Sequence, residues 1–162
     1  MTREGWLDRD EMTVWLALLA VMDRLPAATD AQLRRDHGLT RFEYYVLAML
    51  SEAPRDARPM TELSFMTNGS LSRLSHAVSK LDSRGLTSRQ PDPENGRITI
   101  VTLTADGRRV LEAAAPSHVA EVRRLLLDHI PEDRVPELAS ILRPVAQQLL
   151  GVGSGALPWE ED

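Results

Sequence analysis

The chain of 162 residues contains no cysteine. Disulfide bonds, thiolate metal sites and thiol-oxidation switches are therefore excluded. No apolar run stands out as long enough to span a membrane, and the charged first residues, MTREGWLDRDE, do not follow the pattern of a signal peptide. These features predict a cytoplasmic protein that does not bind a membrane.

The sequence also lacks the motifs of an enzyme. Its four histidines, His37, His76, His118 and His129, form no metal-binding or nucleophile pattern. There is no Gly-rich phosphate loop and no nucleophile elbow. His118 and Glu121 come closest to a metal pair, but two such residues without a third ligand are more often surface residues. We therefore expect no catalytic residue, no metal and no cofactor.

Basic residues are outnumbered overall, but they are concentrated in one segment. The chain has 19 basic and 24 acidic residues and a net charge of −5, which argues against a protein that coats nucleic acid without selectivity. Residues 70–97, by contrast, contain five basic and three acidic residues. An acidic protein with one locally positive segment suits a selective binder.

That segment lies within a pattern typical of a winged helix-turn-helix. In chain order, the predicted elements are a helix at 61–67, a turn at Thr67-Asn68-Gly69, a helix capped by Ser70 and ended by Gly85, strands at 86–90 and 98–103, and an Asn95-Gly96 turn in the loop between them. The second helix of such a module usually lies in the major groove of DNA.

The two faces of this second helix differ in chemistry. At 100° per residue, Leu71, Leu74, Val78 and Leu81 fall on one apolar stripe. The opposite stripe carries hydroxyls and cations but no carboxylate, and Arg73 has the planar fork that matches a guanine edge. The predicted DNA-binding residues are Ser70, Ser72, Arg73, Ser75, His76, Ser79, Lys80 and, at the base of the wing hairpin, Arg97.

Two simpler interpretations stay open for these residues. The helix has the pattern of any amphipathic surface helix with a solvated polar face. Arg97, instead of entering the minor groove, would then pair with Asp92 or Glu94 within its own hairpin. A winged helix that binds another protein, and not DNA, is the alternative function.

Helices are predicted on both sides of the winged module. Before it come helices at 10–25, which Pro26 ends, at 29–36, and from Thr40 to about 53, followed by a connector at 54–59. After it come a helix at 104–129, in which Pro116 introduces at most a kink, and a final helix from Pro131 to 150. Residues 151–162 have the composition of a flexible acidic tail.

The final helix carries an apolar stripe that one chain would leave exposed. The stripe consists of Leu138, Leu142, Val145, Leu149 and Leu150. Burial against a second copy would stabilise such stripes by roughly 25 cal/mol per Å², and two-fold homodimers are the commonest solution. A dimer would also place two reading helices about 34 Å apart, the repeat of a palindromic site. Packing over the winged core of the same chain is the alternative.

Four segments together resemble the MarR (multiple antibiotic resistance regulator) family of bacterial transcription factors. They are GLTRFEYYVLAML at 38–50, MTEL at 60–63, SLSRLSHAVSKLDSRGL at 70–86, and Arg97 followed by Val101-Thr102-Leu103-Thr104 and Gly107. The resemblance extends over about residues 8–150. One departure is Asn95, where the family usually has an aspartate, followed by Gly96 in place of a basic residue.

The resemblance implies a mainly α fold with a small two-stranded β-wing, in the order α1-α2-α3-α4-β-β-α5-α6. Residues 8–37 and 105–150 would be dimerisation helices, and residues 38–104 the DNA-binding domain. It implies a homodimeric regulator, typically a repressor of a palindromic operator, released by a small aromatic or anionic ligand. The residues expected to line the ligand pocket are Trp15, His37, Phe42, Tyr45 and Met49.

Overall fold

A computed structural model of the chain describes residues 5–153 and 155–160. In this part of the chain the helices are α1 (Arg9–His37), α2 (Arg41–Ser51), α3 (Met60–Met66), α4 (Leu71–Ser83), α5 (Ala105–Leu125) and α6 (Val135–Leu150), and the strands are β1 (Ala57–Pro59), β2 (Thr87–Pro91) and β3 (Thr99–Leu103). The expected fold class, a winged helix-turn-helix flanked by N- and C-terminal helices, is confirmed.

The first helix continues through Pro26 as one helix, so the prediction of two separate helices there is wrong. A proline inside a helix removes one hydrogen bond and costs about 3 kcal/mol. Just beyond it, the Thr29 hydroxyl donates to the carbonyl oxygen of Leu25 at 2.9 Å. Thr29, Gln32 and Leu33 are buried, and this half of α1 packs against α2 and α5. This packing offsets the cost of the proline, which local sequence patterns do not show.

By length and composition, α1 is also apolar enough to cross a membrane, which corrects the expectation that no segment is. Most of the apolar stretch is exposed in the single chain. An interface helix of a soluble protein has the same composition, and the exposed side chains lie on the N-terminal half of α1. They include Val14, Trp15, Leu18, Val21 and Met22.

The sheet has three antiparallel strands in the order β1-β3-β2. The wing hairpin, β2 with β3, pairs Thr87 with Leu103 and Pro91 with Thr99. The third strand, β1, pairs with the other edge of β3 and lies in the segment that the sequence predicts to be a connector. This strand was missed because the sequence PRDARP has no β-branched residue and no alternation, so only its tertiary pairing makes it a strand.

The hydrophobic core lies mainly within the winged module and includes Leu33 of α1. Its fully buried side chains are Leu33, Leu39, Val46, Leu47, Leu50, Leu63, Leu74, Val78, Leu81 and Val101. Leu71, predicted to share the buried stripe of α4, is instead 52% exposed. Ala77 is buried in that stripe, which shifts its centre away from Leu71 and leaves this leucine at the edge.

The last helix contrasts with this core, because no residue of α6 is buried. Beyond α6, the described part of the predicted tail turns back onto the helix. Leu157 is 3% exposed, Glu160 pairs with Arg143, and the Gln147 amide donates to the carbonyl oxygen of Gly155 at 2.6 Å. Residues 154, 161 and 162 of that tail lie outside the described part of the chain.

Candidate nucleic-acid interface

The turn between α3 and α4 holds α4 by close packing and by caps. Asn68 adopts the left-handed conformation, with a φ of 49°. Gly69 lies so close to the ring of Phe42 that a Cβ there would be 2.6 Å from the ring carbon Cζ. Ser70 then caps α4, its hydroxyl accepting from the amide of Arg73 at 3.2 Å. The aromatic ring of α2 therefore sets how close α4 approaches the core.

The structure places the predicted reading residues of α4 on one exposed surface. Leu74, Ala77, Val78 and Leu81 face the core. The predicted residues are all exposed: Ser70, Ser72, Arg73, Ser75, His76, Ser79 and Lys80. Hydroxyls, amides of the first turn and cations are thus available on a helix of 13 residues, which is the chemistry that phosphate and base edges need.

The basic residues of this region divide into two groups. Arg89 pairs with Asp82 at 2.5 Å, and Arg84 donates to the carbonyl oxygen of Gly38 at 3.1 Å, so both stabilise the module itself. The Cζ of Arg73 lies 4.1 Å from the centre of the Phe42 ring. Arg73 and Lys80 take part in none of the ion pairs found among the described residues. They are the cations of α4 that remain available for a ligand.

The wing presents Arg97 in the same way. Its backbone amide donates to the side-chain oxygen of Asn95 at 3.2 Å, while Asp92 accepts from the amide of Glu94 at 2.8 Å. Arg97 is exposed, and among the described residues neither acid forms an ion pair with it. The alternative of a hairpin ion pair is therefore not what the structure contains.

Within a single chain, the described residues do not bring together the five side chains predicted to line a ligand pocket. Trp15 and His37 are 22 residues apart on α1, about 33 Å along the helix axis. Phe42 lines an open cleft of about 480 Å³ between α1, α2 and α4 that includes none of the other four. Tyr45 is 36% exposed and lies against Arg41, and Met49 packs partly buried against the core.

A buried polar cluster, which we call the α1–α5 junction, was not predicted as such. Ser117 of α5 accepts from Gln32 at 3.2 Å and lies 2.7 Å from the Nε2 of His37. His118 is 5% exposed, its ring centre 4.4 Å from that of Tyr44 and its Nδ1 3.4 Å from the Gln32 oxygen. This corrects its interpretation as a surface residue.

Burial lowers the pKa of His118 below its ordinary value, and the positive charge of Arg41 lowers it further, against a smaller opposing effect of Glu121. Burial also raises the pKa of the Tyr44 hydroxyl. The sequence did hold a signal for the histidine, since it follows Leu111 and Ala114 at helical spacing on the buried stripe of α5. Among the described residues no group of three acidic or histidine ligands could hold a metal ion.

Comparison with known proteins adds to this geometry. No family model matches the chain. The crystal structure of Sco3205, a MarR family transcriptional regulator from Streptomyces coelicolor in complex with DNA, is 36% identical with a TM-score of 0.86, and the match covers 96% of this chain and 100% of that one. AbsC, a MarR family transcriptional regulator from the same organism, is 33% identical with a TM-score of 0.85, over 93% of this chain and 99% of AbsC.

A shorter match is found with the transcriptional regulator HosA from Escherichia coli O111:H-. It is 30% identical over 79 residues, which make up 48% of this chain. The matched segment spans 56% of the length of HosA.

Proposed function

Since the chain belongs to the MarR family of transcriptional regulators, which are not enzymes, we propose that it is a homodimer that binds a palindromic site on double-stranded DNA. The observation that carries this proposal is the exposed polar face of α4, with the wing cation Arg97 on the adjacent hairpin. α4 would enter the major groove and the wing tip the minor groove. A cytoplasmic location follows from this function.

Dimerisation is supported by the surfaces that the single chain leaves exposed. Val14, Leu18 and Val21 on α1 are 60%, 37% and 42% exposed, and Ile141 and Val145 on α6 are 57% and 50% exposed. Contiguous apolar surfaces of this kind mark interaction sites. A second copy that covers them would bring two α4 helices to one face of the duplex.

We further propose that DNA binding represses transcription and that a small aromatic or anionic ligand releases it. A ligand acts only if it favours one spacing of the two α4 helices over another. The α1–α5 junction supports such a coupling, since His37 and Ser117 join the end of the dimerisation helix α1 to α5 next to the winged module. The pocket residues Trp15, His37, Phe42, Tyr45 and Met49 remain a proposal.

Selection of bound duplexes from a random pool tests the DNA function. The expected result is a palindrome whose half-sites are one helical turn apart, with an affinity that falls steeply as salt rises. Recovery of no preferred duplex, with no salt-dependent binding, would favour a protein-binding winged helix instead.

Two substitutions then separate base reading from phosphate contact on the recovered site. Arg73→Ala should weaken binding to this site by roughly 1–3 kcal/mol. The variant should bind a random duplex with almost the same affinity as the unmodified protein. Arg97→Ala should weaken binding while the dimer stays intact. Equal losses on both duplexes would assign Arg73 to the phosphate backbone, and unchanged affinity of the Arg97 variant would mean that the wing does not touch DNA.

A further inference from the structure

The ring of Phe42 contacts the reading helix in two ways. Phe42 is 6% exposed and lies in the first turn of α2. Its edge faces the backbone of Gly69, at the turn that leads into α4. Its face lies 4.1 Å from the guanidinium carbon of Arg73. One buried side chain therefore contacts both the turn that leads into α4 and the arginine of its first turn.

Contact with the Phe42 ring favours one position of the Arg73 guanidinium and leaves its N–H donors free. The face of an aromatic ring is electron-rich and attracts a guanidinium that lies over it. Among the described residues, the guanidinium of Arg73 forms no hydrogen bond and no ion pair, so its N–H groups are free to donate. A side chain held in this way loses less conformational freedom when it forms two parallel hydrogen bonds to a guanine.

Neighbouring carboxylates do not compete for Arg73 in the structure. Asp30, in the same cleft, accepts from Arg34 at 2.5 Å and from the amide of Arg41 at 2.8 Å. Glu43 accepts from the amide of Thr40 at 2.8 Å as part of a capping box. Both nearby acids are thus occupied within α1 and α2, and the ring is the group that holds the guanidinium.

We propose that Phe42 is a positioning residue for Arg73: its ring holds the guanidinium in the orientation that reads a base, and thereby contributes to sequence specificity. The assignment rests on the proposed DNA function. It differs from the role in ligand binding expected from the sequence, since here the ring acts through the arginine and not on a small molecule.

The test lowers the electron density on the face of the Phe42 ring and leaves the shape of the ring nearly unchanged. Phe42 is replaced by 2,6-difluorophenylalanine, which carries its fluorines on the ring carbons away from Gly69 and has a less negative face. The same replacement is made together with Arg73→Ala. Affinity is measured for the duplex selected from the random pool and for a random duplex of equal length, with melting temperature as the check on folding.

The expected result is an affinity for the selected duplex about 3-fold lower than that of the unmodified protein, unchanged affinity for the random duplex, and no effect of the fluorines once Arg73 is alanine. Phe42→Leu should have a larger effect: the ratio of the affinity for the selected duplex to that for the random duplex should fall by about 10-fold relative to the unmodified protein. Phe65→Leu is the matched control, because this ring on α3 is 47% exposed and takes part in no cation–π contact with an arginine among the described residues; it should leave the ratio unchanged.

The possible results distinguish a failure of the positioning role of Phe42 from a failure of the proposed DNA function. If the unmodified protein discriminates between the duplexes but the fluorinated protein does so equally well, the positioning role is wrong and the DNA function stands. An equal loss on both duplexes, or a loss that persists in the Arg73→Ala background, would also overturn the role by making Phe42 a packing residue. If the unmodified protein binds neither duplex, the proposed function fails and this assignment fails with it.

Discussion

The winged module and the terminal helices bury their apolar side chains to very different degrees. In the winged module, side chains such as Val46, Leu63, Leu74 and Val101, of α2, α3, α4 and β3, are completely buried. On the N-terminal half of α1 and on α6, side chains such as Val14, Leu18, Ile141 and Val145 remain between 37% and 60% exposed. The module therefore folds onto itself, whereas the terminal helices expose apolar side chains that the proposed dimer would cover.

This difference separates two kinds of stability. Interactions in the core of the module set the folding free energy of each chain, whereas in the proposed dimer the exposed side chains of the terminal helices contribute mainly when two chains associate. Substitutions in the two regions should thus have different signatures. Those in the module should change melting temperature independently of protein concentration, and those on the terminal helices should change the oligomeric state.

The largest effect is expected from charges on the exposed face of α1. Val14→Glu/Leu18→Glu should weaken association by roughly 100-fold or more, because an unpaired charge buried at an interface costs several kcal/mol. Light scattering after size-exclusion chromatography would measure the shift from dimer to monomer. Thr13→Glu, exposed on another side of the same helix, should leave the mass unchanged. A double variant that stays dimeric would place the interface elsewhere.

A glycine of α5 that packs against the winged module should give the next largest effect. A Cβ on Gly107 would lie 2.0 Å from the carbonyl oxygen of Leu86, so Gly107→Ala must push β2 and α5 apart. We expect a loss of about 3 kcal/mol in the free energy of unfolding, read from denaturant titrations. Gly96→Ala is the control, since a Cβ there meets nothing within 4 Å. Similar stabilities of the two variants would contradict the packing at this contact.

The smallest effect concerns the α1–α5 junction, where the two regions meet. Because burial lowers the pKa of His118 in the folded chain from an ordinary value of 6.5, the unfolded chain takes up a proton first as the pH falls. Stability contributed by neutral His118 is therefore present above about pH 6.5 and is lost below it. His118→Gln should flatten the fall of melting temperature between pH 7.5 and pH 5.5.

The exposed histidine His129 supplies the control for this pH dependence. His129→Gln should keep the pH profile of the unmodified protein, because this ring is exposed and does not lie in the junction. An unchanged profile in the His118 variant would mean that protonation of this histidine does not strain the contact between α1 and α5.

Much of the winged module is predictable from its sequence because its signals are local. Ser70 caps the helix that it was expected to cap, and the period of 3.6 residues identifies the exposed face of α4. The features that sequence analysis missed depend on distant partners. Pro26 is tolerated within α1 because α2 and α5 pack against that helix. Residues 57–59 form a strand only because they pair with β3.

In the candidate site, too, features with a local sequence signal were predicted and features that depend on distant residues were not. The periodicity of one helix is enough to choose the exposed residues of α4. The contact between Phe42 and Arg73 joins α2 to α4 and has no local signal. The exposure of Leu71 similarly depends on which side of α4 meets the core, because buried Ala77 moves the centre of the stripe.

In the proposed complex, two copies of α4 lie in the grooves of one duplex. Because the chain has no cysteine, Ser79→Cys can carry an iron–EDTA cleavage reagent at one defined point of the exposed face. On the selected duplex, we predict two clusters of strand cleavage about 10 base pairs apart, at symmetric positions around its centre. Cleavage no stronger than that by free reagent, or spread evenly along the duplex, would mean that α4 does not lie in the groove.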